Sequence, residues 1–153
     1  MKFTPRPFAF WVITGFLLVS LILLLTGQTM ALIDYELAVA LGLQESVDDI
    51  GQHGVQVNRA FGTSDTFVYI PLIIFSIVGL AQRKRWGLYL SAAVMGISAY
   101  WVVTIAFMML YLAGVPGYYL EPGIEYWIFM GAFMVFGVGG LLYLVLHGDR
   151  LVT

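Results

Sequence analysis

Residues 61–86 read FGTSDTFVYIPLIIFSIVGLAQRKRW. From Phe61 to Ala81 the residues are almost all apolar, then Arg83, Lys84 and Arg85 intervene, and a second apolar run begins at Trp86. A bilayer core about 30 Å thick is crossed by about 20 residues rising about 1.5 Å each. The stretch therefore predicts a membrane-spanning helix that stops at a basic turn. Gln82–Arg85 is so short a turn that the next helix must return antiparallel.

The rest of the chain repeats this pattern. Of 153 residues, 61% are hydrophobic and 10% charged, against about 45–50% and about 25% in soluble domains. A water-soluble chain this short has too much surface to hide such a composition. Further spans are expected at about 8–33, 86–112 and 126–147, which with 61–81 make one all-α domain, a four-transmembrane-helix bundle. Lys2, Arg6, Arg83, Lys84, Arg85 and Arg150 fall at one end of it, six of the seven Lys and Arg. The positive-inside rule makes that end, with both termini, cytoplasmic. Eight of nine acids lie at or near the opposite end, only Asp149 excepted. The MKFTPRP start and Ala38-Val39-Ala40 imitate a secretion signal, but the apolar run is too long and the small-residue site too distant, so the first span is expected to be retained.

The chain has no cysteine, and its one basic run is explained by the turn, so disulfides, thiolate metal sites and nucleic-acid partners are set aside. His53 with Glu45, Asp48 and Asp49 matches no metal-ligand spacing, and His147 lies on the other side. No phosphate loop, nucleophile motif or dinucleotide fingerprint occurs. No catalytic residue, metal or cofactor is assigned.

The outer loop at about 34–60 mixes apolar residues with acids. It is expected to be structured, with a short helix starting at Ser46 and Asp49 and the whole lying over the mouth of the bundle. Small residues Ala92, Gly96, Ala99 and Ala106 on the third span, and Gly131, Gly137, Gly139 and Gly140 on the fourth, are expected to let helices approach closely.

Polar residues inside the apolar segments carry the functional reading. Asp65 sits about 4–5 Å inside the outer edge of the hydrocarbon. Thr63 or Ser64 capping a helix start, with Asp65 complementing the dipole of its first turn, would explain it structurally. Tyr69, one turn below, and Pro71, which frees a backbone carbonyl near residue 67, point instead to a pocket. Asp34 ends the first span, whose outer third holds Thr26, Gln28 and Thr29; its carboxylate is expected to approach that of Asp65. Tyr100 and Trp101 lie mid-span, away from the aromatic belts, as ring packing or as pocket walls.

The run D-T-F-V-Y-I-P, followed by a basic turn and Trp86, resembles the second helix of the sigma-two receptor branch of the EXPERA membrane proteins. Asp65, Pro71 and approximately Trp86 match that pattern, and Asp34 in A-L-I-D-Y is similar to the family's acid at the end of its first helix. The likeness covers about a third of the chain. It implies a four-helix bundle with cytoplasmic termini and a lipid-facing cavity for sterols or hydrophobic cationic amines. The family's glutamate is aspartate here, Tyr69 replaces a glutamine, the first outer loop is shorter, and no span core holds the histidine expected of the isomerase branch.

Residues and resemblance together give an outer-leaflet cavity for a hydrophobic, sterol-like or cationic amphiphilic molecule. Asp34, Asp65 and Gln28 line its polar lip, and Tyr69, Tyr100 and Trp101 its walls. The partners are membrane lipids, that small molecule, and a second copy or another membrane protein. An accessory subunit of a larger complex is the alternative, and a proton or ion path the third.

Overall fold

A computed structural model describes residues 5–152, and no strand occurs among them. Four helical stretches are long and apolar enough to cross a membrane: Phe8–Ile33, Val47–Ala81, Arg85–Leu112 and Ile124–His147. Three of them fall where hydropathy puts them. The second begins at Val47 rather than near Phe61, about four turns early.

The first stretch comprises α1 (Phe8–Leu23), a π-helical segment π1 (Leu24–Thr29) and α2 (Met30–Ile33). Asp34 breaks it with extended backbone and caps α3 (Tyr35–Ala40), its Oδ1 accepting the Leu37 N–H at 2.9 Å. Gly42, at φ 69°, turns the chain beyond α3, a conformation that favours glycine. Ser46 and Asp49 then form a full capping box at the start of α4 (Val47–Ser64).

The helix opened there is not the short one expected of the loop. It bends at Gly51 (φ 66°) and continues through π2 (Asp65–Tyr69) into α5 (Ile70–Ala81). Thr63 and Ser64 cap nothing; their hydroxyls bond back to the Arg59 and Ala60 carbonyls. Asp65 is thus mid-helix, where a first-turn dipole cannot account for its charge.

The basic turn is as tight as its length demands. Arg83 takes φ 55°, and Gly79 and Gly87 pass so closely that a Cβ on Gly79 would lie 2.4 Å from the Gly87 Cα. Only glycine fits both places. The Arg6 guanidinium donates to the Leu80 carbonyl at 3.0 Å and to that of Ala81, and lies 4.4 Å from the Phe10 ring centre. It satisfies carbonyls that the end of α5 leaves open and fastens the start of α1 there.

α5 packs between α1 and α6 (Arg85–Leu112), and α6 packs against α7 (Ile124–His147). Between α6 and α7, Gly137 and Gly140 sit on Met95 and Ala99, whereas Gly96, Gly131 and Gly139 face open space. A short α8 (Asp149–Val152) folds back on α6 with Leu151 buried. The core runs through Leu17, Ile73, Leu80, Val94 and Met95, and most other large apolar side chains face outward.

Candidate functional site

The site forms where α1 and α5 both lose regular helical winding at the same height. In π2 the Ile70 N–H reaches back five residues to the Asp65 carbonyl. Pro71 is the local cause: lacking an N–H, it leaves a carbonyl one turn back without its donor, and the wider turn absorbs the mismatch. In π1 the Thr26 hydroxyl bonds the Ile22 carbonyl at 2.8 Å, competition that loosens a helix. The two segments are cross-linked by Thr29 Oγ1 and Thr66 Oγ1 at 2.9 Å. Gly62 lets them meet, since a Cβ there would lie 2.8 Å from the Gln28 carbonyl oxygen.

Asp65 is 7% exposed, and its Oδ2 has no hydrogen-bond partner among the described residues. The Oε1 of Gln28 and the hydroxyl of Ser20, both on the facing strand of helix, are likewise buried without a partner. One turn below Asp65, the Tyr69 hydroxyl lies 2.6 Å from Ser98 Oγ and donates to the Val94 carbonyl at 3.2 Å. Asp65, Thr66 and Tyr69 on one helix, Gln28 and Thr29 on another and Ser98 on a third thus make a polar cluster inside an apolar bundle.

At mid-length of the helices lies an apolar groove of about 390 Å³ between α1 and α7, lined by Gly15, Phe16, Val19, Leu23, Phe129 and Phe133 among others. The Phe16 ring packs edge-on to Phe133 at 5.2 Å and stacked on Phe136 at 5.0 Å. Phe16 and Tyr69 belong to one buried cluster, with Phe133 packed against it.

Above the cluster, α3, the turn after it and α4 form a small polar lobe. The Asn58 amide donates to Glu45 Oε2 at 2.8 Å and to Gln44 Oε1 at 3.0 Å, while the Tyr35 hydroxyl donates to the Glu45 carbonyl at 3.0 Å. The Tyr119 N–H donates to the Asp49 carbonyl at 2.6 Å, tying the last loop to the lobe. Burial pushes the Tyr35 and Tyr118 hydroxyls above their ordinary titration range.

Of the sequence-derived residues, Asp65 and Tyr69 lie one turn apart on this helix, and Gln28 is on the helix that packs against it at Gly62. Asp34 does not join them: it is exposed, engaged as the cap of α3, and about 6 Å further along the pair than Asp65. Tyr100 is 69% exposed and faces away from the core. Trp101, one residue on, turns inward onto Phe129 and Phe133 with ring centres 6.4 and 6.2 Å away. Sequence reasoning missed Ser98, Thr66 and the groove phenylalanines. Ser91 and Ser98, seven apart on the buried side of α6, were the signal for the first.

No family model matches the chain, and no curated protein or solved structure matches it either.

Proposed function

We propose that this is a multi-pass membrane protein, with both termini cytoplasmic, that binds a hydrophobic small molecule of the cationic amphiphilic or sterol-like kind. The observation that carries the reading is the buried Asp65 carboxylate without a donor. An ionised carboxylate inside a bundle is unfavourable unless a positive charge meets it, and a cationic headgroup supplies one. The aromatic groove, which begins below the polar cluster at Leu23 on the same helix stretch, suits the apolar body of such a molecule. The 35–58 lobe lids the polar end. The resemblance of D-T-F-V-Y-I-P to the EXPERA pattern agrees with this use of Asp65.

The test is binding of a labelled lipophilic amine to the full chain in nanodiscs. Asp65→Asn is expected to weaken binding by about 30-fold or more, the effect of removing one member of a buried charge pair. Unchanged affinity excludes the role given to the carboxylate. A neutral sterol that binds wild type and variant alike assigns the groove without the charge.

A second reading has its own observation. Gly131 and Gly139, eight residues apart on α7, face open space, and such positions let another helix approach. A partner membrane protein or a second copy seated there makes this chain an accessory subunit. Native mass spectrometry from nanodiscs separates the two readings, because a retained amphiphile and a retained protein differ in mass.

A further inference from the structure

Asp65 Oδ2 and Gln28 Oε1 are both acceptors, both buried, and neither meets a donor among the described residues. Their relative position follows from the contacts around them. The helices run antiparallel with Thr29 against Thr66, and Gly62 abuts the Gln28 carbonyl, so Gln28 lies between the levels of Gly62 and Thr66, beside Asp65. The Thr29 and Thr66 hydroxyls border the same level of the helix pair. All of these atoms are oxygens, and the spot lacks a positive charge. Irregular helix segments that turn carbonyl oxygens and an acid toward each other are how membrane helices build sites for alkali cations.

The charge of the ion follows from the count of carboxylates. Divalent ions gather several, whereas Asp65 stands alone, and among the described residues no three His, Asp or Glu side chains come together. We propose that the paired π segments bind a small monovalent cation of the sodium type through the Asp65 carboxylate and the Gln28 amide oxygen, with the Thr29 and Thr66 hydroxyls beside it. The ion compensates Asp65 in the ligand-free protein. It also competes with the ammonium group of an amphiphile, a consequence that rests on the function proposed above, as the ion site itself does not.

The experiment measures the Tm of the full chain in detergent in NaCl, KCl and tetramethylammonium chloride at equal ionic strength. With sodium about ten times above its Kd, Tm is expected to rise by about 3–5 °C over tetramethylammonium, and by less in potassium. Asp65→Asn and Gln28→Leu are each expected to lose that increment, whatever Tm they start from. Should Asp65→Asn fail to fold, the salt series on wild type and Gln28→Leu still decide. Equal Tm in all three salts overturns the proposal. So does a sodium increment that survives both substitutions. Amphiphile binding with no sodium increment sinks the ion site and spares the function, whereas a sodium increment in a protein that binds no amphiphile does the reverse.

Discussion

The two helix pairs of this bundle are built on opposite plans. Between α6 and α7 contact is made by glycines seated on Met95 and Ala99, and α6 runs 28 residues with no irregular turn. Between α1 and α5 both helices widen into π segments at one level, and the groups that meet are Thr, Gln and Asp. Small residues give dispersion contacts and leave nothing for a ligand to do. Wide turns and buried acceptors stabilise little, yet they leave unsatisfied oxygen inside the bundle. Filling a close approach between helices should therefore cost stability, whereas removing a buried acceptor that has no partner should add to it.

The largest effect is expected where close approach is absolute. A Cβ on Gly87 would lie 2.3 Å from the Gly79 carbonyl carbon, so Gly87→Leu should destabilise by about 3 kcal/mol or more, seen as loss of folded protein in a denaturant titration in detergent. Asp65→Val should reverse the sign. In sodium-free buffer, removing a buried oxygen without a partner should raise stability by about 1–3 kcal/mol while abolishing amine binding. A loss of stability there would make Asp65 part of the scaffold and erase the contrast. Tyr69→Phe should cost about 1 kcal/mol, and less in a Ser98→Ala background, because the hydroxyls share one network.

The smallest effect belongs to the polar lobe. Burial raises the Tyr35 pKa in the folded state, so the neutral phenol favours folding. That contribution is complete below the unfolded pKa of about 10 and is lost as pH climbs past it through the folded value. Hydrogen exchange over residues 35–58 should therefore speed up above about pH 10, and Tyr35→Phe should flatten the change.

What the sequence announced and what it hid follow the same division. Hydropathy places the ends of three helices because lipid demands apolar length and little else. It misses α4 because residues 47–60 are polar, and what makes them helical is the Ser46–Asp49 box rather than any apolar run. Asp65 and Tyr69 were legible as polar groups one turn apart in an apolar segment. Tyr100 faces outward, and depth along a helix does not say which way a side chain turns. The rhythm of Ser91, Val94, Met95, Ser98 and Val102 does, and Tyr100 falls off it. The groove was out of reach, since Phe16 and Phe133 meet across more than a hundred residues of chain.

The grip of Arg6 on the Leu80 and Ala81 carbonyls spans 74 and 75 residues of chain. During synthesis the opening helix emerges long before this anchor exists, so its N-terminal end stays unfastened until the ribosome has delivered the whole of α5. A nascent chain halted before residue 80 leaves that guanidinium with no acceptor to find, and the N-terminal arm becomes a timer that closes only on a finished hairpin partner.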